Sequence, residues 1–383
     1  MEICMSYRSQ LFRLKHPFDT ERSNELFLRA VRENCAYHYA HCPEYKQILD
    51  DAVFSPDDLR TYDDINKLPP VPTLFFKRHH PFSMPKRRML IRATSSGTSG
   101  QFSDIGFDTG GLWSGLQMLL TIARHNGLLS ARPCNYIVMG YRPHKGNKTA
   151  IAKTATGYTF FAPALSRTYA LKFRDGKYEP DLDGVIDAIV KHSRSRFPLR
   201  FIGFPSYTYF VLKLMEERGI AVKLPRHSLI MLGGGWKQFY REQVDKREFY
   251  ELAARVLGIP EDHIMESFGA AEHPILYCDC PRHHFHVPVY SRVIIRDVHT
   301  LEPVKNGQMG LVNLITPMVR ATPILSIMTD DLGVMHDASE CGCGIDAPWF
   351  EIIGRVGLKD IKTCAAGAAD ILAAAQTGKG GQA

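Results

Sequence analysis

Long apolar runs are missing from this sequence: no stretch approaches the roughly 18–20 consecutive apolar residues that span a bilayer. The opening Met1-Glu2-Ile3-Cys4-Met5 has no basic segment followed by an apolar one, so nothing in it reads as a secretory leader. A large excess of one sign of charge is missing as well. Lys and Arg number 47 against 40 Asp and Glu, a net of +7 in 383 residues. The excess is spread out apart from Lys77-Arg78 and Lys86-Arg87-Arg88, short clusters that read as solvated faces. Without interleaved aromatics they exclude a nucleic-acid stripe. No Gly-x-Ser-x-Gly elbow or His-Glu-x-x-His helix occurs, which removes serine-hydrolase and zinc-peptidase chemistry. A Walker loop is also absent, since Asn147 separates Gly146 from Lys148-Thr149. There is no internal repeat.

What remains is an ordinary globular composition, 45% hydrophobic and 23% charged, with enough apolar side chains for a sizeable core. Nine cysteines without a leader read as thiols or metal ligands rather than disulfides, and point to the cytoplasm. Spacing of Leu26, Phe27, Ala30, Val31, Cys35 and Tyr39 predicts helix over 20–50. Leu68-Pro69-Pro70-Val71-Pro72 must be extended. Strands are expected at 88–93, 135–140, 200–204 and 228–232, with helices at 113–124 and 206–218. This alternation implies an α/β layered fold with ligand loops at strand ends. From about 285 the runs His286-Val287-Pro288-Val289, Arg292-Val293-Ile294-Ile295 and Gly310 to Leu314 suggest a β-rich subdomain. The tail after Cys364 is mostly Ala and Gly.

Three groups of residues carry chemistry. Ser95, Ser96, Gly97, Thr98, Ser99 and Gly100 combine hydroxyls, backbone N–H groups and glycine, the ingredients of a phosphate cradle or of a plain flexible loop. Cys278, Cys280, His284 and His286 precede Cys341 and Cys343, a soft donor set suited to structural Zn²⁺. The preferred ligands are Cys280, His286, Cys341 and Cys343, with Cys278 or His284 as substitutes. Phe204, Tyr207, Tyr209 and Phe210 either wall an acyl pocket or belong to the core.

The order of the motifs adds what none gives alone. After the hydroxyl-rich loop come Ser267-Phe268-Gly269-Ala270-Ala271-Glu272-His273, then Thr329-Asp330-Asp331-Leu332-Gly333, then Gly354-Arg355. That order resembles the adenylate-forming enzymes. Tyr37-His38-Tyr39, Cys42-Pro43-Glu44-Tyr45, Leu68 to Thr73, Glu272-His273-Pro274, His284 to Pro288 and Cys341-Gly342-Cys343-Gly344 further resemble the acyl-protein synthetase (LuxE-type) family over roughly 20–364.

The resemblance implies an α/β fold, the large N-terminal domain of the adenylate-forming enzymes, over 1–354. Its β-rich, zinc-clamped subdomain would lie at about 280–354 and a short remnant at 355–383. It implies ATP and Mg²⁺ as cofactors, a carboxylic, above all fatty, acid as substrate, and an acyl-accepting reductase as partner. Ser95 to Gly100 would hold phosphates. Gly233, Gly234 and Gly235 would line the floor between adenine and acyl pocket, Phe268 beside Gly269 would pack on adenine, and Glu272 would bind Mg²⁺. Asp331 would take the ribose hydroxyls, with Arg355 nearby. The resemblance departs at the end: only residues 356–383 follow Arg355, where adenylate-forming enzymes carry a domain of about a hundred residues with a catalytic lysine. Either Lys237 or Lys362 would substitute for it, or a partner would supply the group. Cys364, flanked by Lys359 and Lys362, is the expected acyl acceptor, because thiolate is the attacking species. An aromatic-acid adenylase or CoA ligase, and a nucleotide-binding subunit without turnover, stay open as alternatives.

Overall fold

The computed structural model describes residues 5–95, 102–144, 150–236 and 244–355. Their contacts fall into two compact units. The first draws on residues up to Thr121, Ala270–Tyr277 and His284 onward; the second on Ile122–Gly269 and Cys278–His283.

In the first unit a sheet runs through strands in the order Phe285–His286, Trp349–Arg355, Ser326–His336, Met309–Ile315 and Arg292–Arg296, all antiparallel. The proline-stiffened Val71–Pro72 adds in parallel to Ser326–His336. Leu314, Ile315, Ile327, Leu332 and Phe350 are buried. Helix Thr20–His41 turns Phe27, Leu28, Ala30, Val31 and Cys35 inward at three- and four-residue spacing. Buried Arg292 ties the two together. It donates to the Thr20 carbonyl, Ser23 and Asn24, and lies over the Phe27 ring at 4.2 Å.

The second unit is the α/β layer. Its strands follow the order Ile264–Ala270, Leu229–Gly233, Leu199–Gly203, Cys134–Tyr141, Ala164–Arg174 and Lys177–Pro180, parallel until the last hairpin. Cys134–Tyr141 is buried along nearly its whole length, as a central parallel strand must be. Helices Leu182–Ser193, Pro205–Glu217 and Lys246–Leu257 pack Val185, Ile189, Val211, Leu212, Ala253 and Val256 into the core with Phe201 and Ile230.

Two expectations need correction. The helix over 20–50 is two helices, Thr20–His41 and Pro43–Asp51, because Pro43 cannot supply an N–H inside a continuous helix and instead starts the second. Of the run 286–289 only His286 is in a strand, Phe285–His286, and Pro288 has no N–H for a longer ladder.

Candidate functional site

The first candidate centre is built in the first unit. Strands Ile91–Thr94 and Asp104–Phe107 pair antiparallel, and Arg92 forms an ion pair with Asp104. The ladder continues one step further: Ser95 N–H donates to the Ser103 carbonyl at 3.2 Å, and Ser103 N–H donates to Ser95 Oγ at 2.9 Å. Ser95 Oγ thus accepts from backbone and keeps its own O–H to donate elsewhere. Ser96 to Gly100 lie outside the described residues. Ser103 is wholly buried, and its hydroxyl donates to the carboxylate of Glu272, itself 5% exposed on the turn before strand His273–Cys278. Among the described residues no cation forms an ion pair with Glu272.

Behind Glu272 a closed triangle fixes the strand. His273 Nε2 lies 2.9 Å from Tyr277 Oη, which lies 2.5 Å from Ser291 Oγ, which returns to His273 Nε2 at 3.2 Å. Burial pushes the His273 imidazole down to about 3, so it is neutral.

Asp331 and Arg355 face each other across neighbouring strands in register. The guanidinium is 3.9 Å from Asp331 and 3.7 Å from Asp330. Asp331 N–H donates to Thr329 Oγ1 at 3.2 Å. Burial raises the Asp331 carboxyl, with Arg355 opposing.

Within the second unit, Gly233 pairs in parallel with Ser267. A Cβ on Gly233 would stand 2.6 Å from Ser267 Oγ, and Gly234 and Gly235 take φ of 83° and 67°. The glycine turn and the strand bearing Phe268 and Gly269 therefore lie side by side, in a backbone that side chains would obstruct. Phe204 is 3% exposed and touches Tyr141 and Tyr207 edge-on or tilted, at 5.9 and 6.0 Å between centroids. Tyr207 packs on the core, and Phe210 is 6.1 Å from Tyr209. Lys237, Lys359, Lys362 and Cys364 lie outside the described residues.

The second candidate centre is the cysteine–histidine cluster. Of its four expected ligands, His286, Cys341 and Cys343 lie in the first unit and Cys280 in the second. Cys280 sits on the turn joining strands His273–Cys278 and Phe285–His286. His286 Nε2 is 3.3 Å from Cys341 Sγ and 3.2 Å from Cys343 Sγ. The sulfurs of Cys280 and Cys343 accept the N–H of Arg282 and Ile345. Gly342 and Gly344, at φ 68° and 88°, give the Cys-Gly-Cys-Gly turn its tight path. Two neutral or anionic donor types, N and S, at this closeness fit a tetrahedral Zn²⁺. Of the substitutes, His284 Nδ1 comes to 3.1 Å from Cys341 Sγ, while its ring stacks on Trp349 at 3.7 Å; Cys278 belongs to the second unit.

Sequence reasoning missed Ser103, Arg8 and Asp108. Asp108 is buried and accepts from Arg8 and from the N–H groups of Gly111 and Arg320. A lone serine or aspartate outside any motif gives no signal to find it by.

The family model described as "Acyl-protein synthetase, LuxE" matches residues 10–373. The chain belongs to this family. Two relatives are similar along nearly the whole chain. The long-chain-fatty-acid–luciferin-component ligase of Vibrio harveyi is 24% identical over 357 residues, covering 90% of this chain and 88% of its own. The enzyme of that name from Aliivibrio fischeri is 25% identical over 355 residues, covering 92% and 90%. A crystal structure of 2-hydroxyisobutyryl-CoA ligase, in an open conformation with 2-HIB-AMP and CoA, shares the fold at a TM-score of 0.64 and 15% identity, over 90% of this chain and 72% of that one. This member of the LuxE family thus has the fold of the adenylate-forming enzymes. None of its described helices is long and apolar enough to cross a membrane.

Proposed function

We propose that this acyl-protein synthetase family member activates a carboxylic acid, above all a long-chain fatty acid, as acyl-AMP and passes the acyl group to Cys364 for delivery to a reductase in the cytoplasm. The observation that carries the reading is Glu272: a buried carboxylate, without a protein cation among the described residues, hydrogen-bonded to the serine that closes the neck of the hydroxyl- and glycine-rich segment. A buried carboxylate is costly unless a positive charge joins it.

In the first step a substrate carboxylate oxygen attacks the α-phosphorus of ATP, and the bond to pyrophosphate breaks with its electron pair. Ser95 to Gly100 bind the departing phosphates through hydroxyl and N–H donors. Glu272 would hold Mg²⁺, whose charge would offset the negative charge that builds on the phosphate oxygens. Asp331 accepts the ribose hydroxyls, Arg355 opposes the rise that burial imposes on that carboxyl, and Phe268, with Gly269, packs on adenine above Gly233 to Gly235. Lys237 is the candidate to meet the reacting carboxylate. Phe204, Tyr207 and Phe210 are the candidate walls of the acyl pocket.

In the second step the Cys364 thiolate attacks the acyl carbonyl carbon, AMP leaves with the bonding pair, and the thiol proton passes to solvent. Lys359 and Lys362 favour the thiolate. Cys280, His286, Cys341 and Cys343 would bind a structural Zn²⁺ outside these steps.

Pyrophosphate–ATP exchange with a panel of fatty and aromatic acids tests the first step. Exchange with long-chain acids is expected, and none with any acid would sink the reading.

A further inference from the structure

We propose that Ser103 is a positioning residue for divalent-cation binding: its hydroxyl fixes the Glu272 carboxylate so that one oxygen is held and the other is aimed at the cation. The inference rests on the reading that Glu272 serves a metal–nucleotide complex.

Three features single out this serine. It is fully buried, so no water competes for its hydroxyl. Its backbone is clamped in both directions to Ser95, by the 3.2 and 2.9 Å bonds that extend the Ile91–Thr94 and Asp104–Phe107 ladder. Its position is therefore set by a β-ladder and not by a side-chain rotamer alone. Finally, its Oγ meets Oε1 of Glu272, 169 residues away in the chain, and this is the hydrogen bond that the carboxylate receives among the described residues.

A carboxylate on a turn rotates about its side-chain torsions, and each rotamer lost on binding costs free energy. A hydroxyl bound to one oxygen removes that freedom beforehand and leaves the lone pairs of Oε2 for a hard cation, which takes oxygen ligands. Outer partners of this kind typically change metal affinity about 10- to 100-fold. Ser103 N–H and O–H also link the Ser95 neck to Glu272, so the ends of the phosphate segment and the cation ligand share one anchor.

The test compares Ser103→Ala, Ser103→Thr and the unaltered full chain. Free Mn²⁺ is followed by electron paramagnetic resonance during titration with ATP present, and exchange is measured against Mg²⁺ concentration. Ser103→Ala is expected to weaken Mn²⁺ binding about tenfold. It should raise the Mg²⁺ needed for half-maximal exchange to a similar degree, with the KM for the acid unmoved. Ser103→Thr, which keeps the hydroxyl, is expected to recover most of both. Thermal unfolding gives the folded fraction of each variant. Mn²⁺ affinity per folded molecule unchanged in Ser103→Ala overturns the proposal, whatever its melting temperature. Failure of the unaltered protein to exchange with any acid overturns the function instead, and is read on a different sample.

Discussion

The Nδ1–H of His286 donates to the carbonyl of Ala347 at 2.8 Å, which commits the opposite nitrogen, Nε2, to the sulfurs of Cys341 and Cys343. A histidine ligand oriented by a carbonyl on its other nitrogen is the usual arrangement at zinc. Purified protein is therefore expected to hold about one zinc per chain. Cys341→Ser and Cys343→Ser should each lose most of it, by elemental analysis. A chelator should lower the melting temperature of the unaltered protein and leave that of Cys341→Ser in place.

The pairing of Asp331 with Arg355 makes a prediction about nucleotide binding. Asp331→Asn should raise the KM for ATP about tenfold, the loss of a hydrogen bond to a charged group, without changing the KM for the acid. Burial raises the Asp331 carboxyl. The unaltered protein should accordingly begin to lose ATP affinity, as pH falls, at a higher pH than an ordinary aspartate would dictate. A pH profile of the KM for ATP that is flat down to the usual carboxylate range would contradict this.

Stability should depend on Arg8 and Asp108, a pair 3.0 Å apart with side chains 8% and 12% exposed. Burial alone would raise the Asp108 carboxyl, but Arg8 and the N–H groups of Arg320 and Gly111 outweigh it and hold it low. A depressed carboxyl stabilises the fold above its unfolded value and loses that contribution as pH drops through the folded one. Asp108→Ala leaves Arg8 buried and unpaired, and should cost about 3–5 kcal/mol in urea unfolding. A loss below about 1 kcal/mol, the size of an exposed pair, would show that Arg8 reaches water.

His38 titrates in a different window. It is wholly buried, its Nδ1 2.7 Å from Ser83 Oγ and its Nε2 3.2 Å from the Val319 carbonyl, and burial pushes it down to about 3. The unfolded chain binds the proton near 6.5, the native fold only near 3, so stability falls as pH drops between those values. His38→Gln should be less stable at neutral pH yet lose less between pH 7 and 4.5. Parallel losses in the two proteins would remove His38 from the account.

For Cys364, a radiolabelled fatty acid with ATP should leave label on denatured protein that hydroxylamine releases as a thioester. Cys364→Ser should keep pyrophosphate exchange and lose the label. Label appearing only in a small-molecule product would favour a CoA ligase or other free adenylase instead.

The relation between these sites and the chain is uneven. Helix Thr20–His41 and the buried strand Cys134–Tyr141 were legible because burial imposes periods that composition displays. Strand Ser326–His336 was not, since Thr329-Asp330-Asp331 interrupts its apolar pattern at the residues proposed to serve the nucleotide. The four zinc candidates could be read in two local groups, Cys280 with His286 and Cys341 with Cys343, because donors for one ion recur at short spacing on tight turns. That His286 meets Cys341 and Cys343 is a matter of tertiary structure, for sheet pairing of Phe285–His286 with Trp349–Arg355 links segments over fifty residues apart. Glu272 was named by its motif alone, and so was Asp331. That Glu272 is buried against Ser103, and that Asp331 faces Arg355, depended on ladders formed between distant segments. Sequence by itself determined the residue types, their order and the family, because local periodicity and motif chemistry need no partner. Only the folded chain decided which hydroxyl holds which carboxylate, because burial and hydrogen-bond geometry exist once remote strands are paired.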